Sequence, residues 1–152
     1  MASKRTNIVE AIRTRFEGIL SGSTYQTNLG RNVHVWRMAP IMARELPAVN
    51  VRDVTDSIVD YTQASPHKLA SQHQLTVEVE ILVADSTDTI TTIRKCLEDV
   101  ELAIQQDETW GGLALRTVEL SNEILASQER DTVAGMLLLL RVDFRTEKFK
   151  AN

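Results

Sequence analysis

Residues 75–83 alternate between apolar and polar side chains so regularly that they constrain the fold more than any other stretch of the chain. The odd-numbered positions are all apolar and the even-numbered ones are mostly polar: Leu75, Val77, Val79, Ile81 and Val83 against Thr76, Glu78, Glu80 and Leu82. Successive side chains of a β-strand point to opposite faces of its sheet, so this period of two predicts a half-buried strand. A sheet with one covered and one polar face is typical of antiparallel strands.

The segment after this strand has the period of an amphipathic helix. Its apolar positions, within residues 85–106, are three or four residues apart: Ile90, Ile93, Leu97, Val100 and Ile104. The helix then meets Trp110-Gly111-Gly112, which is a stop signal because glycine enters the left-handed backbone region without steric cost. We expect Trp110 to be a core residue that packs back on this helix, with a subunit interface as the alternative.

The other apolar patterns complete an α+β fold. A helix is predicted for residues 5–20, short strands for 33–36 and 48–61, and two closing strands for 113–124 and 132–145. The predicted order is therefore α-β-β-β-α-β-β. We expect an antiparallel β-sheet with two main helices packed on one face.

The chain has the length of a single domain, which we assign to residues 1–152. Two segments lack a periodic apolar pattern. Residues 62–72 are polar and include a proline, so a mobile loop is expected near 62–73. The last residues, 148–152, are expected to be frayed.

Two prolines, Pro40 and Pro47, bracket residues 41–46, which we interpret as a loop or one helical turn. Arg44 and Glu45 lie in this segment, which has no apolar face of its own. We hypothesise that both belong to a subunit interface. Plain solvent exposure is the alternative.

The charge distribution argues against several classes of protein. Residues 1–46 carry seven basic and three acidic side chains, whereas residues 47–110 carry four basic and twelve acidic ones. With a net charge of −4 and no basic stripe, the chain is a poor candidate for nucleic-acid binding. No apolar run is long enough to cross a membrane, and the single cysteine excludes an internal disulfide. The uneven charge suits head-to-tail contact between copies, and two solvated surfaces are the alternative.

No group of residues has the spacing of a catalytic or metal site. Of the three histidines, His34, His67 and His73, the last two share a loop end with no cysteine or carboxylate at a metal-ligand spacing beside them, so they are expected to be solvated. Cys96 lies one residue from the apolar stripe of the second helix and is expected to be a partly buried core residue. We therefore expect no enzyme, no cofactor and no metal.

Two patterns allow both a catalytic and a simpler interpretation. Glu78 and Glu80 share a strand face, where they are expected to pair with Arg141 or Arg145 rather than act as acid and base. The paired glycines follow a helix and precede a strand. Phosphate-binding glycines lie between a strand and the helix after it, so a phosphate loop is not expected.

The order of these motifs resembles that of the tail terminator (tail-completion) proteins of long-tailed bacteriophages. The resemblance covers most of the chain and rests on these segments: 8–13, 25–36, 45–49, 75–83, 99–104, 109–113 and 142–146. It implies a structural, non-enzymatic virion protein. Such a protein forms a hexameric ring on the head-proximal end of the tail tube, ends tube polymerisation and presents the surface that joins the head.

The resemblance also implies the partners, which are further copies of the chain, the tail tube protein and a head-side neck or connector protein. Assembly takes place in the host cytoplasm, and genomic DNA passes through the lumen without sequence-specific binding. The expected interface residues are Arg44, Glu45, Ser65, Pro66, His67 and Lys68. One alternative is a head-tail connector that rings the DNA channel. Another is a small dimeric ligand-binding domain, which needs a concave apolar pocket.

Overall fold

The computed structural model describes residues 2–22, 24–65, 68–84, 88–127 and 133–147, with the backbone alone for 60–65, 68–69, 126–127 and 133. Two helices and five strands make up this part of the chain: α1 (Lys4–Glu17), β1 (Val33–Val35), β2 (Ala48–Ser65), β3 (Lys68–Ala84), α2 (Thr89–Gln106), β4 (Arg116–Ser127) and β5 (Val133–Glu147). Two short 3-10 turns, Leu29–Arg31 and Ala43–Glu45, lie between α1 and β2. The order α-β-β-β-α-β-β and the α+β class are confirmed.

The strands form one sheet in the order β1-β2-β3-β5-β4. All neighbouring pairs are antiparallel except β1 and β2, which run parallel. The sheet is therefore mixed, and the expectation of a fully antiparallel sheet is wrong for β1. The physical reason is the connection through residues 36–47, because a parallel pair needs a crossover of about a dozen residues rather than a tight turn.

The core lies between one face of the sheet and both helices. The odd-numbered residues of β3 from Leu75 to Val83 and the even-numbered residues of β5 from Ala134 to Phe144 are buried. They contact Ile8, Ile12 and Phe16 of α1 and Ile93, Cys96 and Val100 of α2 in one continuous cluster. Each of the larger apolar side chains contributes about 1.5–3 kcal/mol by burial, so the alternation read from the sequence identifies a strongly stabilising face of the sheet.

The buried stripe of α2 is shifted from the predicted one. Cys96 and Asp99 are fully buried, whereas Leu97 and Ile104 are only partly buried. Asp99 turns inward because its carboxylate accepts hydrogen bonds from the N–H groups of Gln26 and Thr27, at 2.8–3.1 Å. The hydrogen bonds offset the cost of burying a carboxylate, and apolar periodicity carries no signal for them.

The expected loop at 62–73 is wrong where the structure describes it. Residues 62–65 end β2 and residues 68–73 begin β3, paired as far as Ser65 and Lys68. Register shifts at 53/55, 58/60 and 63/65 break the alternation of β2, so the sequence lacks the period of a strand there.

Several residues with sequence-based predictions have no described structure. Pro66 and His67 are outside the described residues, as is the expected frayed end at 148–152. Of Ser65 and Lys68 the structure describes the backbone alone.

Candidate functional site

The turn after α2 has three consecutive residues in the left-handed region. Trp110 has a φ of 53°, and Gly111 and Gly112 have φ of 73° and 85°. The glycines adopt this backbone freely, whereas a residue with a side chain costs about 1–2 kcal/mol there. The predicted stop signal is thus confirmed.

The carboxylate of Asp107 organises this turn. It accepts hydrogen bonds from the hydroxyl and N–H of Thr109, at 2.5 and 2.9 Å, and from the N–H of Gly111 at 2.7 Å. These donors favour the ionised form and lower the pKa of Asp107 to about 2. The Trp-Gly-Gly turn is held by its own side chains and backbone.

Trp110 is a core residue, with 2% of its surface exposed. Its indole N–H donates to the Thr117 hydroxyl at 2.7 Å. Its ring meets Phe16 of α1 edge to face at 6.5 Å, and the Arg15 guanidinium lies 4.3 Å from the ring centre. The expectation that Trp110 is a core residue is confirmed, and its ring contacts are with α1, in the same core cluster as the buried residues of α2.

An open recess of about 450 Å³ lies between α1 and this turn, lined by Glu10, Ala11, Thr14, Arg15, Asp107, Trp110 and Gly111. Four of its seven lining residues are polar or charged, and it is open to solvent. Arg15 donates to the Asp107 carbonyl and stacks on Trp110, so its charge is already engaged. The recess lacks the enclosed apolar walls that small-molecule sites have.

The segment that carries Arg44 and Glu45, residues 36–45, is here named the methionine loop. Glu45 binds Arg37 through two hydrogen bonds, of 2.6 and 3.0 Å, and accepts a third from the Met42 N–H at 2.8 Å. The Arg37 hydrogen bond, then the Met42 N–H, lowers the pKa of Glu45 to about 2. The carboxylate expected at an interface therefore closes the loop on itself, while Arg44 is exposed.

The methionine loop is also tied to β2. The buried Asn50 side chain accepts from the Arg37 N–H at 3.1 Å and donates to the Arg37 carbonyl at 3.0 Å. Trp36, with a φ of 54°, donates its indole N–H to Asp53 at 2.6 Å. These bonds fix the loop on the edge of the sheet that β1 forms.

What the fixed loop presents to solvent is apolar. Met38 is 83% exposed, Met42 is 53% exposed and Trp36 is 43% exposed. Sequence reasoning identified the charged residues of this loop and missed these three. The available signal was a tryptophan and a methionine just before Pro40 and a second methionine between Pro40 and Pro47.

A second exposed apolar surface lies on the opposite edge of the sheet. Every residue of the segment 119–125 of β4, here named the β4 surface, is exposed. Leu120 and Leu125 are 49% and 56% exposed. Glu123 shares with Leu125 the sheet face away from the helices, because they pair with Leu137 and Gly135, whereas Glu119 pairs with Leu140 and lies on the helix face. A bulge at Leu120 turns this part of the strand outward.

Acidic side chains of α2 extend the charge of the β4 surface. Burial raises the pKa of Glu101, and the charges of Glu119 and Glu98 raise it further. Glu101 therefore lies near both of these acidic side chains, on the helix side of β4.

A carboxylate, an imidazole and a hydroxyl lie in line inside the sheet. His73 Nδ1 is 2.9 Å from Asp56, and its Nε2 is 2.8 Å from the Thr146 hydroxyl. The His73 ring stacks on Phe144 at 4.5 Å, and both His73 and Thr146 are buried. A buried hydroxyl is closed to a substrate, so this arrangement ties β2, β3 and β5 together.

The structure describes two of the three histidines, and neither His73, which was expected to be solvated, nor His34 is fully exposed. His73 is buried, because the strand that replaces the expected loop carries it inward. His34 is half-buried beside Arg37, where burial, then the guanidinium charge, lowers the pKa of its imidazole. Cys96 is wholly buried, and burial raises the pKa of its thiol to about 11.

The two glutamates of β3 pair with a different arginine from the predicted ones. Glu78 and Glu80 lie 3.3 and 3.8 Å from Arg52 of β2. Arg141 instead contacts the buried carboxylate of Asp143 at 3.0 Å. The register explains the correction, because Arg52 lies directly opposite Glu78, whereas Arg141 and Arg145 lie opposite Thr76 and Gln72.

Within the described ranges, no group of three or more histidine, cysteine, aspartate or glutamate side chains is arranged to hold a metal ion. No helix of the described part is long and apolar enough to cross a membrane.

Of three comparisons with known proteins, only the one with solved structures gives a match. No family model matches the sequence, and the search of curated proteins gives no match. Among solved structures, a chain of a particle described as "Virion of native gene transfer agent (GTA) particle" is similar at 11% identity and a TM-score of 0.38. The alignment covers 91% of this chain and 98% of the other. At that TM-score we draw no conclusion from the similarity.

Proposed function

We propose that this chain is a structural protein of a phage-like virion that acts as a tail terminator. Copies form a hexameric ring on the head-proximal end of the tail tube, end tube polymerisation and present a surface to the head-side neck protein. The order of sequence motifs supports this proposal. The protein is assembled in the host cytoplasm and has no catalytic role.

One structural observation carries the proposal. The molecule has two unlike exposed surfaces at opposite edges of one sheet: the methionine loop beside β1 and the β4 surface. A closed ring is built from a heterologous contact, in which each copy offers two different surfaces to its two neighbours. A two-fold dimer instead uses one self-complementary surface, so the observed pair of surfaces favours a ring over the dimeric ligand-binding domain.

The charges suit a lumen through which DNA slides. Affinity for DNA comes mainly from basic side chains that neutralise phosphates. Here many arginines are already paired with carboxylates of the same chain: Arg5 with Asp53, Arg15 with Asp107, Arg37 with Glu45, Arg52 with Glu78, and Arg116 and Arg141 with Asp143. Paired guanidinium groups bind phosphate weakly, which favours passage over binding.

The tip of the β2–β3 hairpin is our proposed contact with the tail tube protein. Ser65 and Lys68 end the two strands, with Pro66 and His67 between them in the sequence. Arg44 is proposed for the subunit interface. The Glu45 carboxylate, engaged by Arg37, acts there by shaping the loop.

Electron microscopy of the concentrated protein, alone and with polymerised tail tube protein, tests the proposal. Class averages with six-fold symmetry and a central hole, or six-fold caps on tube ends, are expected. Twelve-fold rings indicate the connector function instead. Particles that stay monomeric or dimeric in both samples contradict the ring.

A further inference from the structure

We infer that the methionine loop of one copy docks on the β4 surface of a second copy. This inference rests on the proposed ring, because it names the two surfaces that each subunit offers to its neighbours. It replaces the charged pair expected from the sequence with an apolar contact that Arg44 flanks.

The methionine loop has the properties of a docking surface. Its backbone is fixed by Arg37, Glu45 and Asn50, so little conformational freedom is left to lose on binding. The exposed side chains of Met38 and Met42 are flexible and polarisable, and such side chains adapt to irregular apolar partners. Rigid backbone with adaptable apolar side chains is typical of protein–protein contacts.

The occupant follows from charge complementarity. Arg37 and Glu45 neutralise each other, so the net charge of the methionine loop is the single positive charge of exposed Arg44. The β4 surface has the opposite charge: Glu123 shares with Leu125 the sheet face away from the helices, and Glu119 lies on the other face of the same strand. An apolar surface with a basic side chain thus matches an apolar strip with acidic ones, and both are present on the same chain.

The two surfaces lie at opposite ends of the strand order β1-β2-β3-β5-β4. An edge-to-edge contact between two copies leaves the loop of one copy and the β4 surface of the other free at the outer ends of the pair. Each copy can therefore use its loop on one neighbour and its β4 surface on the other. This is the head-to-tail geometry from which rings close.

A mixing experiment tests the inference directly. Met38→Asp disrupts the loop and leaves the β4 surface intact, while Leu125→Asp does the reverse. Each variant alone is expected to associate at least about tenfold more weakly than the original protein, which corresponds to about 1.4 kcal/mol of binding free energy. An equal mixture is expected to form dimers and nothing larger, since only one good contact is left between the two variants. Sedimentation velocity measures all four samples.

The controls separate the surfaces from general effects of added charge. Val59→Asp places the same charge at a half-exposed apolar position of β2, outside both surfaces, and is expected to leave association unchanged. Far-UV circular dichroism and thermal unfolding establish that every variant is folded. Arg44→Glu combined with Glu123→Arg is expected to regain association that each single reversal loses.

The outcomes distinguish this inference from the ring itself. Rings that persist in Met38→Asp and Leu125→Asp overturn the proposed contact and leave the ring standing. Two monomeric variants whose mixture gives no dimer also overturn it, because the two surfaces then do not bind each other. An original protein that stays monomeric with and without tail tube protein overturns both proposals.

Discussion

Trp36 and Trp110 share an unusual backbone and differ in almost everything else. Both have a φ near 54°, a region that residues with side chains rarely occupy, and both donate the indole N–H to a side-chain oxygen. Trp110 is buried against Phe16 of α1, whereas nearly half of Trp36 is exposed. Backbone strain persists only where the surroundings hold it.

The difference lies in what holds each strained residue. Around Trp110, apolar burial and the Asp107 hydrogen bonds offset the strain, and the gain is the stability of the monomer. Around Trp36 its indole bond to Asp53 offsets the strain, together with the bonds between Asn50 and the backbone of the neighbouring Arg37, and the side chain still faces solvent. A strained, ordered and exposed apolar residue adds little to the core, which fits the contact between copies that we propose.

The largest expected effect on the free energy of unfolding is at Trp110, and it distinguishes this tryptophan from Trp36. Trp110→Ala removes a buried side chain and its hydrogen bond to Thr117, and should lower the free energy of unfolding by about 3–5 kcal/mol. Urea denaturation of the monomer measures this loss. A change below about 1 kcal/mol would show that the region relaxes around the cavity and that the comparison is wrong.

The next effect concerns the backbone of the Trp-Gly-Gly turn. Gly111→Ala adds a side chain at a φ of 73° and should lower the free energy of unfolding by about 1–2 kcal/mol, although the space around the new Cβ is open. Gly22→Ala is the matched control, because its Cβ also meets open space and its φ is outside the left-handed region. Equal effects of the two substitutions would mean that the left-handed turn contributes no strain.

The signals that allowed prediction were local ones. Alternation in 75–83 predicted the central strand, and the glycines at 111 and 112 predicted the left-handed turn, because each depends on neighbouring residues in the sequence. The left-handed backbone of Trp36 has no such marker. It is held by Asn50 and Asp53 from β2. Secondary-structure propensity carries no information on contacts between residues that far apart in the sequence.

The missed features were those that depend on pairing across the chain. The strand at 62–65 and 68–73 is irregular because β2 has three register shifts, so its alternation is lost although its hydrogen-bonded ladder is kept. Pairing of β1 with β2 in parallel depends on the path of residues 36–47. The Arg37–Glu45 pair, which shapes the methionine loop, likewise gives no signal in a periodic pattern of apolar residues.

A pH dependence is expected from both tryptophan regions. The pKa values of Glu45 and Asp107 fall from ordinary values of 4.5 and 3.8 to about 2 in the folded chain. A carboxylate with a lowered folded pKa stabilises the folded chain above its unfolded pKa, and this stabilisation is lost as the pH falls through the folded value. The free energy of unfolding should therefore decrease as the pH falls from about 4.5 to about 2.

Three variants assign that pH dependence. Urea titrations across this range should show a shallower decrease for Glu45→Gln and for Asp107→Asn than for the original protein. Arg37→Gln removes the partner of Glu45 and should flatten the same part of the profile. A profile that is unchanged in all three variants would rule out these carboxylates as its origin.

The smallest effect on stability is expected at Trp36, where it should be accompanied by a large effect on association. Trp36→Ala removes one hydrogen bond and a half-exposed ring, so the free energy of unfolding of the monomer should fall by about 1 kcal/mol or less. Tryptophan at a contact between copies is commonly a binding hot spot, so association should weaken by about tenfold or more. Sedimentation velocity and urea denaturation of the same sample measure both quantities. Trp110→Ala should give the reverse ratio, and two variants that lose stability and association in equal proportion would mean that both tryptophans act only through the fold.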